Sequence, residues 1–121
     1  MERVTESEQA ILEALWEREP RTAAELAEKF EAERGWSIST VKTLLARLVA
    51  KEAILSEQDG RRFLYRAAVE RDAYVVNQSR RLLDSLFGGR AAPLVAHLAR
   101  NDALGADDIA ELKKLLKDLK P

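Results

Sequence analysis

The chain has 121 residues, 20 Lys plus Arg against 21 Asp plus Glu, one histidine and no cysteine. The missing thiols exclude disulfides and cysteine-based zinc or soft-metal sites, and they fit a reducing compartment. No apolar run approaches the roughly 18 residues of a membrane helix, and Met1-Glu2-Arg3 has no signal-like character, so a cytoplasmic protein without stable membrane association is expected.

The first two elements announce themselves by their caps. Thr5-Glu6-Ser7-Glu8 and Thr22-Ala23-Ala24-Glu25 both have capping-box spacing, which predicts helices starting just after Thr5 and Thr22. Ile11, Leu12, Leu15 and Trp16 share one face of the first helix, Leu26 and Phe30 one face of the second, and Pro20 breaks the chain between them. These apolar residues read as core. Gly35 and Trp36 close the second helix, and Ser37 is the expected N-cap of a third.

That third helix, residues 37–51, is the most informative stretch. At about 100° per residue, Val41, Leu44, Leu45 and Leu48 gather into one apolar stripe. Ser39, Thr43, Ala46 and Ala50 point the other way, with Lys42 on one flank and Thr40 and Arg47 on the other. Short side chains edged by cations let a backbone approach a partner closely. Ser and Thr can bond base edges, a Thr methyl can touch a thymine methyl, and Lys and Arg can reach phosphate or guanine. The alternative is an ordinary amphipathic helix whose small outer residues have no role.

After Ile54 and Leu55, the pair Asp59-Gly60 predicts a hairpin tip, and Phe63 and Tyr65 alternate with Arg62, Leu64 and Arg66 in the returning strand. The tip carries Arg61 and Arg62, which suit a phosphate contact and equally suit plain exposure. Three helices and a two-stranded hairpin make a winged helix-turn-helix over residues 1–70, a module that lays its last helix in the major groove of double-stranded DNA. From 71 to 121 a second, all-helical domain is expected. Its first helix carries Tyr74, Leu82, Leu83, Leu86 and Phe87 and ends at Gly88-Gly89. Its second carries Leu94, Val95 and Leu98 after Pro93, and its third Ile109, Leu112, Leu115, Leu116 and Leu119. So small a unit buries such stripes poorly alone, which points to a homodimer through Leu82, Leu86, Leu94, Leu98, Ile109, Leu112 and Leu116. A dimer also carries two reading heads about 34 Å apart, as a palindromic operator requires. The competing arrangement is one compact monomer.

Charge is segregated along the chain. Residues 1–33 hold four basic and ten acidic side chains, net −6, whereas residues 34–66 hold seven basic and three acidic, net +4. A pI near 5.9 therefore does not exclude DNA binding, because a polyanion responds to local potential.

The run Thr40-Val41-Lys42-Thr43-Leu44-Leu45-Ala46-Arg47-Leu48, with Glu8 through Trp16, Phe63 and Tyr65, Leu86-Phe87-Gly88-Gly89, Pro93-Leu94-Val95 and Asp108-Ile109-Ala110-Glu111-Leu112, resembles the family of penicillinase and methicillin-resistance repressors, which also includes copper-responsive repressors. The resemblance spans essentially the whole chain. It implies a cytoplasmic homodimeric repressor of resistance genes and of its own operon, mainly α with a small β-hairpin wing and a C-terminal helical dimerisation domain. By position it implies DNA contacts at Thr40, Lys42 and Thr43 and matches Arg47 and Lys51 to cationic positions of the same helix. With Ser39 on the outward face and the wing tip beside it, base contact is expected at Thr43 and Lys42 and phosphate contact at Arg47, Lys51, Arg61 and Arg62. This chain departs from well-known members at Ser39 and Ala50, where lysines occur, at Lys42 for arginine and at Ala46 for threonine, so its operator is expected to differ. Antibiotic-responsive members are cleaved at an Asn-Phe pair through a membrane sensor protease. The aligned pair here is His97-Leu98, the candidate regulatory cleavage site. The cysteine ligands of the copper branch are absent, so neither metal nor cofactor is expected.

Enzyme chemistry finds no constellation to carry it. His97 lies in an apolar helical stretch, the carboxylates fall at caps and on polar faces, and neither a triad nor a phosphate-binding glycine loop is present. Lys113, Lys114, Lys117 and Lys120 complement the negative end of the last helix. A winged-helix module that binds protein without reading DNA remains the alternative function.

Overall fold

A computed structural model describes residues 3–119; Met1, Glu2, Lys120 and Pro121 lie outside the described residues. The elements are α1 (Glu6–Glu17), β1 (Arg21–Thr22), α2 (Ala23–Arg34), α3 (Ile38–Ala50), β2 (Ile54–Asp59), β3 (Arg62–Ala67), α4 (Arg71–Leu86), α5 (Ala91–Arg100) and α6 (Ala106–Asp118). They form two compact units, Met1–Tyr74 and Val75–Pro121. The change of unit falls inside α4 rather than at residue 71, because Tyr74 is buried in the first unit. Its ring lies 5.3 Å from that of Trp16, and its hydroxyl donates to Gln9 Oε1 at 3.2 Å.

Both capping boxes form. Thr5 Oγ1 accepts from Glu8 N while Glu8 Oε1 accepts from Thr5 N, and Thr22 and Glu25 repeat the exchange, so orphan amides at each helix start are satisfied locally. Ser37 caps α3 through Thr40 N, and Gly35 ends α2 at φ +68°, a left-handed conformation that favours glycine.

The core of the first unit joins Ile11, Leu12 and Leu15 of α1, Leu26 and Phe30 of α2, and Val41, Leu44, Leu45 and Leu48 of α3, with Ala53 and Ile54 beyond them. The apolar stripe of α3 is thus wholly spent on packing, and the opposite face is turned outward.

The sheet has three antiparallel strands, ordered β1-β3-β2, rather than the two expected. The added strand pairs Arg21 with Tyr65 and Thr22 with Leu64. Two residues leave no alternation to read in the sequence, and Thr22 is at once strand end and helix cap. The hairpin tip is also shifted by one residue. Asp59 pairs with Arg62, so the loop is Gly60-Arg61, with Gly60 at its first position and φ +64°, where two-residue hairpins call for glycine.

One polar interaction crosses this core. Glu8, fully buried near the start of α1, receives the Lys51 ammonium on Oε1 at 2.6 Å, and Lys51 also donates to the Arg3 carbonyl at 2.8 Å. Lys51 is therefore turned inward, with 15% of its side chain exposed, instead of standing with the exposed cations of α3 and the wing as expected. Burial pushes the Glu8 carboxyl up. The hydrogen bonds from Lys51 and Thr5, with the Lys51 charge, outweigh that and hold it below an ordinary glutamate.

In the second unit, Phe87 N and Gly89 N both donate to Leu83 O at the end of α4, and Gly105 N donates to Asp108 Oδ2 at the start of α6. Neither α5 nor α6 contains a buried residue. Leu82, Leu86, Ile109, Leu115 and Leu116 are exposed, whereas Leu94, Leu98 and Leu112 are half-buried.

Leu45→Ala is expected to lower the unfolding free energy of the first unit by about 2–5 kcal/mol, read in urea titrations. Because the Glu8 pKa is depressed on folding, its stabilising contribution is complete above its unfolded value, ordinarily near 4.5, and is lost as pH falls through the lower folded value. Glu8→Gln should accordingly make the acid limb of the stability–pH curve shallower.

Candidate nucleic-acid interface

The outer face of α3 is built by subtraction. Once Val41, Leu44, Leu45 and Leu48 are buried, the helical period leaves Ser39, Thr40, Lys42, Thr43, Ala46, Arg47 and Ala50, all of them exposed. Not all of their polar groups are free. Thr40 Oγ1 lies 3.2 Å from Ser37 Oγ and belongs to the cap, and Thr43 Oγ1 donates to the Ser39 carbonyl at 3.0 Å. With its proton engaged along the helix, Thr43 offers the outside a methyl group and an acceptor lone pair. Ala46 and Ala50 add methyl groups along the same face, so its middle is a low apolar strip.

Cations border that strip. Among the described residues Lys42, Arg47 and Arg61 enter no ion pair. Arg61 stands at the wing tip, while Arg62 folds back onto Asp59 Oδ2 at 3.0–3.1 Å and brings only part of its charge outward. By contrast the carboxylates of the acidic end hold cations in ion pairs. Arg18 pairs with Glu25, Lys29 with Glu17 and Glu33, Arg34 with Glu6, and Arg71 with Glu13. Pairs this exposed add little stability each. They nevertheless leave Lys42 and Arg47 of α3 and Arg61 of the wing, within the first unit, outside any ion pair among the described residues.

Between the starts of α2 and α3 and the wing lies a groove of about 580 Å³, lined by Ala23, Ile38, Lys42, Arg61, Phe63 and Tyr65. Ile38 and Phe63 are 47% and 48% exposed. Sequence reading passed over both as interface residues: Ile38 falls outside the α3 stripe, and Phe63 looked like an ordinary strand residue. Their exposure beside cations gives the groove an apolar wall and a positive rim, a combination suited to the sugar-phosphate edge of a duplex. His97 is exposed and Leu98 half-buried, both within α5, with the His97 carbonyl accepting from Asn101 Nδ2 at 2.8 Å. Among the described residues no group of His, Asp and Glu side chains is placed to hold a metal ion, and no helix is long and apolar enough to cross a membrane.

Comparison with known proteins places this geometry. Residues 4–118 match the sequence pattern of the family described as penicillinase repressor. An uncharacterised 16.5 kDa protein of Latilactobacillus sakei is 32% identical over 93% of this chain and 77% of its own length. The penicillinase repressor of Bacillus licheniformis is 25% identical over 97% of this chain and 91% of its own. The methicillin resistance regulatory protein MecI of Staphylococcus aureus is 25% identical over 93% and 92%. Among solved structures, the DNA-binding domain of the repressor BlaI superposes with a TM-score of 0.55 at 24% identity, covering 60% of this chain and 88% of that domain. The Bacillus licheniformis BlaI monomer in complex with the blaP half-operator gives 0.53 at 23% identity, over 60% and 89%. These two likenesses establish the winged-helix fold. With a family match running almost from end to end and helices and wing in the same order, the chain belongs to the penicillinase repressor family.

Proposed function

We propose that this DNA-binding transcriptional repressor works in the cytoplasm as a homodimer on a dyad operator, lowering transcription of resistance genes and of its own operon. The observation that carries the reading is the outer face of α3, a strip of small side chains flanked by Lys42 and Arg47 with no ion-pair partner among the described residues. A solvated helix face has no need of that arrangement. A helix seated in a major groove does, because short residues permit close approach while long cations reach the strands on either side.

In this reading Thr43 and Lys42 face base edges, with Ser39 and Thr40 beside them, and Arg47, Arg61 and Arg62 meet phosphates. The methyl groups of Thr43 and Ala46 favour thymine, whose C5-methyl projects into the major groove. Lys51 has no part in the contact, since its ammonium is held by Glu8 and Arg3. A second copy of the chain covers the helices of the second unit, whose Leu86 and Leu116 are 69% and 67% exposed. The half-operator complex of BlaI and the resistance-regulating relatives support operator binding and repression. Release by a membrane sensor protease at His97-Leu98 would require α5 to unwind first, because a protease reads extended chain.

Thr43→Ala should reduce discrimination between operator and scrambled duplex by about 1–3 kcal/mol, and replacing operator thymines by uracil should weaken the unmodified protein in the same direction. Arg61→Ala with Arg62→Ala should instead weaken all duplexes alike and flatten the salt dependence by roughly 0.9 for each phosphate no longer neutralised, measured by fluorescence anisotropy across ionic strengths. Equal affinity of the unmodified protein for operator and scrambled DNA would refute sequence reading and favour a protein-binding module. Leu116→Asp should give monomers in sedimentation, and an unchanged mass would overturn the dimer assignment.

A further inference from the structure

We propose that Glu8 and Lys51, with the backbone of Arg3 to Thr5, form a clamp that positions α3 for base reading, so that two side chains which touch no DNA help to determine operator specificity. The proposal rests on the DNA-reading role of α3 argued above.

Lys51 is the C-cap of α3, and its ammonium is directed back into the fold. It lies 2.6 Å from Glu8 Oε1 and 2.8 Å from the Arg3 carbonyl, and Glu8 Oε1 accepts a further bond from Thr5 N at 2.9 Å. The chain before α1 is drawn in with it, and Val4 is 9% exposed. Glu8 itself is 0% exposed, and its Oε2 is buried without a hydrogen-bond partner among the described residues. Capping α1 does not require Lys51, since Thr5 and Glu8 meet that need between themselves.

A buried pair with an orphaned oxygen is a poor device for stability. Desolvating both charges costs much of what their attraction returns, and packed apolar side chains of similar volume often do as well or better. What an ion pair supplies and an apolar stripe does not is direction. The contacts of Val41, Leu44, Leu45 and Leu48 are non-directional and tolerate small shifts of the helix on its bed. An ammonium that must meet a carboxylate and a carbonyl at once fixes the rotation and axial position of the helix end. Thr43 lies eight residues upstream of Lys51, about 12 Å along the same rigid rod. A turn or slide released at Lys51 would reappear at the reading residues, where contacts must be placed within about 0.5 Å.

The test separates a positioning role from a phosphate contact and from mere stability. Full-length Glu8→Gln, Lys51→Met and the double variant are compared with the unmodified protein by anisotropy on operator and scrambled duplexes over a range of salt. Circular dichroism at the working temperature establishes that each measured variant is folded. The clamp predicts that Glu8→Gln, which alters a group buried away from any ligand, lowers the operator-to-scrambled affinity ratio about tenfold, the scale of one good base contact. It predicts further that Lys51→Met and the double variant lose no more than this, and that the salt slope is unchanged in all three. A salt slope lower by roughly 0.9 in Lys51→Met, with Glu8→Gln indistinguishable from the unmodified protein, would make Lys51 a phosphate ligand and overturn the proposal. A folded double variant with its operator ratio intact would overturn it too. Should Lys51→Met fail to fold with its buried partner uncompensated, Glu8→Gln and the double variant still decide the matter. If the unmodified protein does not prefer its operator, the reading role of α3 fails instead, before any variant is measured.

Discussion

The burial of Val41, Leu44, Leu45 and Leu48 against Ile11, Leu12, Leu15, Leu26 and Phe30 is the constraint from which the rest of the first unit follows. It consumes one side of α3 and thereby decides what the other side can present. Each fully buried aliphatic side chain in that layer contributes about 1.5–3 kcal/mol relative to exposure, so the outer face can be chosen for contact rather than for stability. The caps at Thr5, Thr22 and Ser37 then set where each helix begins. Their consequence is the register that points Lys42, Thr43 and Arg47 to solvent together.

Electrostatics acts on this frame by pairing rather than by total charge. The chain is nearly neutral, yet the carboxylates of its acidic end hold cations in ion pairs while Lys42, Arg47 and Arg61 stay unpaired among the described residues. For a repressor this has a kinetic and a selective consequence. A modest positive field limits non-specific adhesion to DNA and makes such binding depend on salt. The small side chains at Ser39, Ala46 and Ala50 keep the middle of that exposed face low.

The second unit shows the opposite economy. Its helices carry leucines at helical spacing, yet α5 and α6 bury no residue and Leu86, Leu115 and Leu116 stand largely in solvent. Exposed apolar surface on this scale calls for a partner, which is the ground for the proposed homodimer.

Much of this could be read from the residues alone. The capping boxes, the α3 stripe, the outward face, the wing and the three later helices are all local signals, carried by side chains three or four positions apart and so visible in one dimension. The tertiary structure decided what depends on residues far apart in the chain. Lys51 looked like one more cation of the interface until Glu8, 43 positions earlier, was found to hold it. Strand β1 exists only because β3 offers an edge to two residues with no strand pattern of their own. The Gly60-Arg61 turn follows from the register of β2 on β3, and the first unit extends past residue 70 into α4 because Tyr74 finds Trp16. Local propensity acts over a few residues and is written where it acts. Pairing across the fold is settled by packing and desolvation, which no stretch of chain carries by itself.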